Sequence, residues 1–332
     1  MAQISINGGQ KVLDVRGGVS LLRALKNWGI FVPSACGGRA VCGFCKVKVL
    51  SGAPQEVSAI ERPFLSEADI RLGMRLSCQL PVRADMEIEL PEALLAGRRY
   101  RGILESFRNL TADIRELRIR VVQPRRLDFV PGQYIQLECP GFEGRGPVTR
   151  AFSVSSTPED RGFVELIVRM VPGGTCTTWI FNGLNPGDEV EFSGPYGEFG
   201  ITDLGSPMIW IAGGSGMAPF WSMVRHMRQG HISRRCQYFF GAVRQEDLYF
   251  VGPLRAMTQD MPNFEFVPCV SEATSDWPGE KGLVTEVAQR RTGDLSEYEG
   301  YLCGSPAMVD MCVEILRDKG MPQERIFFDK YA

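Results

Sequence analysis

The sequence predicts a multidomain α+β and α/β chain of three consecutive units: a small unit in the β-grasp order, an antiparallel β-barrel, and a doubly wound parallel sheet. Three observations predict it. A glycine-rich loop with three cysteines in ten residues, Cys36 to Cys45, sits among short strands and one helix. From Gly102 to about Thr202, short apolar stretches are broken by Gly and Pro, the pattern of an antiparallel barrel. From Ser206 onward, apolar strands alternate with helical periodicity, which is βαβ texture. The expected divisions are 1–92, a polar and basic linker at 93–101, 102–204, and 205–332.

A length of 332 residues is enough for two or three full cores, and 44% hydrophobic with 23% charged residues is ordinary for a globular protein. A net charge of −2 gives no field that would gather nucleic acid or an anionic membrane. No run approaches the apolar length of a membrane helix, and MAQISINGG lacks the basic and apolar regions of a signal peptide. The expectation is a cytoplasmic protein with no integral membrane segment, whose six cysteines other than Cys36, Cys42, Cys45 and Cys78 are reduced thiols.

In the first unit, Ile4 and Ile6 alternate with polar neighbours, Asn7-Gly8 makes a hairpin turn, and Val12, Leu13 and Val15 form the second strand. Ser20 caps a helix with Leu21, Leu22, Leu25 and Trp28 at helical spacing, ended by Gly29. The cysteine loop follows, then the alternating strand Lys46 to Leu50, a polar helical segment near Ser66 to Ile70, and Arg75 to Leu80, which returns Cys78. Met86 to Leu90 supplies a last strand.

The cysteine spacing is C-x5-C-x2-C, with 32 residues before Cys78. A structural zinc site would pair two short knuckles or use histidines, and the two histidines, His226 and His231, lie far away. Glycines at 37, 38 and 43 let the backbone turn its N–H groups inward, which suits sulfide. Thiolates on such a loop point to a [2Fe–2S] cluster. The first gap is one residue longer than the plant-type C-x4-C-x2-C.

In the barrel, Ile114 to Val122, then Ile135 and Leu137, mark strands, and Pro131 to Tyr134 and Gly187 to Glu189 mark turns. Alternation in Arg150-Ala151-Phe152-Ser153 puts Arg150 and Phe152 on one face and Ser153 on the other. A cation for phosphate, a ring for stacking and a hydroxyl for a ring nitrogen are what a flavin requires. In the third unit, Met208 to Ala212 is an apolar strand, Gly213 to Pro219 a tight turn, and Phe220 to Met227 a helix, the geometry that receives a nucleotide phosphate. Strands at 237–243, 264–270 and 298–303 alternate with helices at 248–257, 284–291 and 307–318.

The loop CGGRAVCGFC and the segment RLSCQLPVRADMEIELPE resemble the [2Fe–2S] ferredoxin domain of the F subunit of sodium-translocating NADH:quinone reductase and those of soluble oxygenase reductases. That likeness implies that Cys36, Cys42, Cys45 and Cys78 ligate the cluster. The F subunit begins with a membrane helix, which this sequence does not show. Arg150 to Ser153 is similar to the R-x-Y-S flavin signature of the ferredoxin-NADP⁺ reductase superfamily, with Phe152 keeping the stacking surface. Val168 and Arg169, with Gly174, Cys176 and Thr177, resemble its second flavin segment, which holds the FAD pyrophosphate. Gly194 to Phe199 matches its exit from the barrel. GGSGMAP, with Gly213, Gly214, Gly216 and Pro219, and Cys303-Gly304-Ser305-Pro306 resemble its pyridine-nucleotide signatures.

In that superfamily the cysteine corresponding to Cys303 lies beside the nicotinamide, and the hydroxyl corresponding to Ser153 faces the flavin. The resemblance implies that both flank the hydride path, that Gly304 and Pro306 bind the cofactor with Cys303, and that a terminal aromatic residue, Tyr331, stacks on the flavin, while Phe328 could instead be the core residue of the final strand. Glu246, in the loop where the family recognises the adenosine ribose, suits NADH, since NADPH would need cations there. The implied activity is an oxidoreductase passing electrons from NADH through FAD and a [2Fe–2S] cluster to an electron-acceptor protein, an oxygenase or other redox metalloenzyme. A soluble relative of the quinone-reductase component that feeds a membrane complex, a redox-sensing binding module and a zinc-stapled interaction protein are the alternatives. Lys11, Arg16, Arg23, Lys26, Arg39, Lys46 and Lys48 give the first unit a basic character suited to an acidic partner.

Overall fold

The computed structural model describes residues 1–331 except Ala35, Cys42, Gln55, Ala96 and Gly97. Cys42, one of the four expected ligands, therefore lies outside the described residues.

The first unit comprises β1 (Ala2–Ile6), β2 (Lys11–Val15), α1 (Leu21–Asn27), β3 (Lys46–Ser51), α2 (Glu67–Arg71), β4 (Met74–Leu76), β5 (Met86–Glu89) and the short α3 (Glu92–Leu95). Its sheet has the order β2-β1-β5-β3-β4, with β1 and β5 parallel and the other pairs antiparallel. Ser20 caps α1 by accepting from Arg23 N, and Ser66 and Asp69 close a reciprocal capping box on α2. Ile4, Ile6, Leu13, Leu21 and Leu25 are fully buried between sheet and helix. Under β4 lies a buried ion pair. Arg75 donates to both oxygens of Glu61, Nε to Oε1 at 3.0 Å and Nη2 to Oε2 at 2.7 Å, and Leu76 N adds a third bond to Oε1. Burial pushes the Glu61 carboxyl up, but these donors and Ser58 outweigh it and hold it below the usual carboxylate range.

The second unit contains β6 (Arg98–Asn109), β7 (Ile114–Gln123), β8 (Tyr134–Cys139), β9 (Val148–Ser153), β10 (Phe163–Arg169), α4 (Thr175–Asn182) and β11 (Glu189–Tyr196). All pairs are antiparallel in the order β10-β7-β6-β11-β8-β9, and the Val154–Leu166 bridge with Ser155 N donating to Glu165 O at 2.8 Å closes the ends on each other. The expected linker is shorter than 93–101. Its first residues belong to α3 and its last to β6, because Tyr100 stacks on Phe192 with ring centroids 5.1 Å apart and so joins the barrel core.

The third unit runs through β12 (Met208–Gly213), α5 (Met217–Gln229), β13 (Cys236–Ala242), α6 (Val251–Asp260), β14 (Phe264–Val270), β15 (Glu280–Lys281), α7 (Val284–Arg291), β16 (Glu299–Gly304), α8 (Pro306–Asp318) and β17 (Ile326–Lys330). Its sheet is parallel throughout, in the order β15-β14-β13-β12-β16-β17. The chain leaves β12 in one direction and returns to β16 on its other side, so the switch point lies between the carboxyl ends of those strands, where such sheets bind ligands. No helix among the described residues is long and apolar enough to cross a membrane.

Candidate functional site

The cluster loop winds through the left-handed region, with φ of 66° at Gly37, 92° at Gly38, 58° at Ala40 and 72° at Gly43. Gly43 also has no room for a side chain, since a Cβ there would meet the Phe64 ring at 2.9 Å. Cys36 and Cys45 are buried and Cys78 half-buried, and no described cysteine is in a disulfide. A hydrogen bond from the Cys45 thiol holds Cys78 down to about 6, and the Cys36 sulfur is near enough for its charge to oppose this. Gln79 Nε2 donates to Cys78 Sγ at 3.4 Å. The Ser34 hydroxyl is buried without a partner among the described residues, and Arg39 Nε donates to the Cys36 carbonyl at 3.1 Å. Cys36 and Cys45 on the left-handed loop and Cys78 in the turn after β4, with Cys45 and Cys78 in hydrogen-bond contact and Gln79 donating to Cys78, are a thiolate set whose chemistry fits a [2Fe–2S] cluster, although the described residues alone do not close a three-ligand group.

In the barrel, β9 carries Arg150, Phe152 and Ser153 together. Phe152 is half-buried against the core and pairs with no other aromatic ring among the described residues. Gly174, the N-cap of α4, provides no side-chain cap, which leaves the first turn of the helix to an outside acceptor such as a pyrophosphate. The Thr177 hydroxyl instead accepts from Val171 N at 3.1 Å and braces the preceding turn, and the Cys176 thiol is buried against Cys139. Val168 is buried in the barrel core. This face fits FAD through the backbone of α4, the cation of Arg150 and the ring of Phe152.

Arg169, expected in the flavin segment, faces the third unit. Its Nε donates to Asp113 Oδ2 at 2.6 Å, and its Nη1 would lie 3.4 Å from a Cβ on Gly214. Both residues line a cleft of about 390 Å³ with Gly213, Gly214, Asp247, Ser271 and Thr285. Thr285, 4% exposed in the first turn of α7, has a hydroxyl with no partner among the described residues. An orphaned donor, a glycine turn and a cation in one cleft fit a dinucleotide. Gly216 is glycine for space, because a Cβ there would run into the Cys303 carbonyl. Pro219 is buried in the first turn of α5 and Pro306 opens α8, positions where the missing N–H costs nothing. Gly304, with φ of 153°, would bring a Cβ to 2.7 Å from Met308 Cε.

Glu246 is exposed, faces Arg244 at 3.8 Å and does not line the cleft. Its neighbour Asp247 does, held by accepting from Arg244 N at 3.0 Å. The expectation of a core role for Phe328 fails: it is 41% exposed, with Lys330 Nζ 5.0 Å from its ring centroid.

The residues expected on the hydride path do meet. The Tyr331 hydroxyl donates to Ser153 Oγ at 2.8 Å, and Ser153 Oγ donates to Asp329 Oδ2 at 3.2 Å. Tyr331 N donates to the Gly304 carbonyl at 2.9 Å, and the Tyr331 side chain also hydrogen-bonds Cys303. Asp329 was not foreseen. Burial pushes its carboxyl up to about 6, and the Ser153 bond only partly offsets this. Burial also pushes the Cys303 thiol well above its ordinary value, so it is a neutral group at the foot of the site.

Three family models match in chain order: a 2Fe-2S iron-sulfur cluster binding domain at residues 4–83, an oxidoreductase FAD-binding domain at 101–201 and an oxidoreductase NAD-binding domain at 210–314. The chain is 31% identical to the F subunit of the Na⁺-translocating NADH-quinone reductase of Neisseria meningitidis, over 99% of this chain and 91% of that one. It is 34% identical to the xylene/toluene monooxygenase electron transfer component of Pseudomonas putida, over 99% and 93%. Among solved structures, a cytochrome P450 reductase from Amycolatopsis superposes with a TM-score of 0.79 at 31% identity, covering 100% of this chain and 99% of that one. The chain belongs to the ferredoxin-NADP⁺ reductase superfamily, in the branch with an N-terminal [2Fe–2S] domain, and is an NADH-dependent iron–sulfur flavoprotein reductase.

Proposed function

We propose that this reductase delivers its electrons to the metal-containing component of an oxygenase, or to a comparable redox metalloenzyme. The observation that carries the reading is the placement of β9: its Ser153 end meets the nucleotide unit through Asp329 and Tyr331, and its Thr149–Arg150 end meets the cluster loop. A bound FAD would supply the conversion of a two-electron hydride into single electrons, which suits an acceptor that takes one electron at a time. The relationship to the monooxygenase component of Pseudomonas putida and to the propane 2-monooxygenase reductase component of Rhodococcus jostii, 35% identical over 88% of this chain, supports the same acceptor class.

In this reading, Ser153 Oγ holds the proton that Asp329 Oδ2 accepts or returns, and Tyr331 orients the hydroxyl from the other side. The elevated carboxyl of Asp329 lets it change protonation near neutral pH. Cys303 would lie beside a bound nicotinamide, and Gly216 lets α5 approach the Cys303 backbone. Arg169, Gly213 and Gly214 would receive the dinucleotide phosphates. Cys36, Cys45 and Cys78, with Cys42 as the fourth thiolate of the sequence motif, would hold the cluster.

Adding NADH anaerobically to the purified protein tests the path: flavin and cluster absorbance should both bleach, and absence of either chromophore would end this reading. A second reading, a component that serves a quinone reductase, draws on the 31% identity to the Neisseria meningitidis protein. Quinone turnover equal to or faster than that with an oxygenase component would favour it.

A further inference from the structure

The first unit meets the barrel through a small, polar seam. Gln136 in β8, 4% exposed, donates from Nε2 to the Val32 carbonyl at 3.2 Å. Lys26, at the end of α1, donates to the Thr149 hydroxyl in β9. Gly37, next to Cys36, lies where a Cβ would run into the Arg150 guanidinium and approach the Thr149 carbonyl to 3.5 Å. That guanidinium is itself fixed, Nη1 donating to Thr149 O at 2.8 Å. Phe31 is buried without belonging to the apolar core of its own unit. On the barrel side these contacts occupy one patch of two paired strands, where Leu137 stands opposite Arg150 and Glu138 opposite Thr149.

We propose that Lys26–Thr149 and Gln136–Val32 are positioning contacts for the reaction: they hold the cluster loop against the flavin strand and so set the rate of the flavin-to-cluster electron step, leaving the hydride step untouched. The inference rests on the electron path proposed above. Seams between domains of one chain are mobile by default unless they are large and apolar. This one carries few polar bonds among the described residues, so the docked arrangement competes with undocked ones, and each bond shifts that balance. Lys26 lies in the last turn of α1 and Val32 on the connection from it to Cys36, so a change in docking moves the ligand loop itself.

The test uses the holoprotein with Thr149→Val, Gln136→Met and the double variant, each checked for full flavin and cluster absorbance. Anaerobic stopped-flow mixing with NADH resolves flavin bleaching from cluster bleaching in one trace. The double variant should leave the flavin phase at the wild-type rate and slow the cluster phase by about 5–30-fold, the factor that one or two lost hydrogen bonds impose. Thr149→Ser, which keeps the hydroxyl, should restore the cluster phase. Limited proteolysis between residues 93 and 101 should quicken in the double variant with or without cofactors. Equal cluster phases in wild type and double variant would overturn the seam proposal while leaving the electron path standing. A wild-type cluster that never bleaches would instead remove the path on which the proposal rests. Slowing of both phases together would assign these residues to general stability and also overturn it.

Discussion

The barrel meets a neighbour on two sides, and the two seams are built differently. Toward the nucleotide unit it is stitched closely. Arg225 Nη2 donates to the Ser155 carbonyl at 2.6 Å and to Glu165 at 2.8 Å, Ser222 Oγ donates to the Ser156 carbonyl at 2.5 Å, and His226 pairs with Glu159 at 2.8 Å. Ser153, Asp329 and Tyr331 add further bonds across this seam, at the site proposed for hydride transfer. Toward the cluster unit stand the Lys26 and Gln136 bonds and the close approach of Gly37 to Arg150. The difference follows the chemistry. Hydride transfer needs its two atoms in near contact and aligned, so that seam must be rigid. An electron crosses a gap without bond making, so the other seam can be light.

Four variants would break or sharpen that contrast. Glu61→Ala strands the buried Arg75 guanidinium beneath β4, which should cost the first unit about 3–5 kcal/mol and its cluster absorbance, while NADH still bleaches the flavin. Loss of flavin bleaching in that variant would mean that the light seam transmits more than its bonds suggest. Because the Glu61 carboxyl is depressed in the fold, its contribution is present above the ordinary glutamate range and is lost as pH falls, so wild-type and variant melting points should converge in acid.

Arg225→Ala removes a half-buried pair with Glu165 and should cost about 1.5–3 kcal/mol, read as a lower melting temperature with a slower flavin phase. Asp329→Asn should flatten the pH profile of the hydride step near pH 6, where the wild-type carboxyl changes charge. Its raised folded value means that wild-type stability falls as pH rises through about 4 to 6, so the variant should gain relative stability above that window in pH-dependent melting.

The smallest effect belongs to the basic face. Lys46 is paired with Asp69 at 2.8 Å and Lys48 with Glu89 at 2.6 Å, Lys26 is committed to the seam, and Arg39 donates to the Cys36 carbonyl. Lys11, Arg16 and Arg23 are exposed and make no ion pair among the described residues. Reversing Arg16 and Arg23 together should lower the acceptor association rate and its salt dependence by a few-fold, with the internal bleaching phases unchanged.

The same contrast explains what the sequence could disclose. Cys36 to Cys45 and Gly213 to Pro219 were readable because each is a local device: left-handed glycines in one, a strand–turn–helix in the other. The three-unit order was readable because hydrophobic period changes from unit to unit. Residues whose role depends on a neighbouring unit were not. Asp329 is one acidic residue in an aromatic-rich terminus until β17 pairs beside β16 and places it under Ser153. Arg169 sits at the end of a barrel strand, and only the packing of the third unit turns it to Gly214. The Gly- and Thr-rich stretch Gly173 to Thr178 shows no helical signal because its β-branched residues favour other states, and burial of Trp179 and Ile180 makes Thr175 to Asn182 a helix.

The strand β9 is also a gauge. At about 3.3 Å per residue, the three steps from Arg150 to Ser153 span about 10 Å, so one short piece of backbone sets the spacing between the barrel's contact with the cluster unit and its contact with the nucleotide unit. Its register against β8, with Ile135 opposite Phe152 and Leu137 opposite Arg150, calibrates both ends at once. A one-residue deletion within β9 would invert the faces of its side chains and decouple both neighbours together.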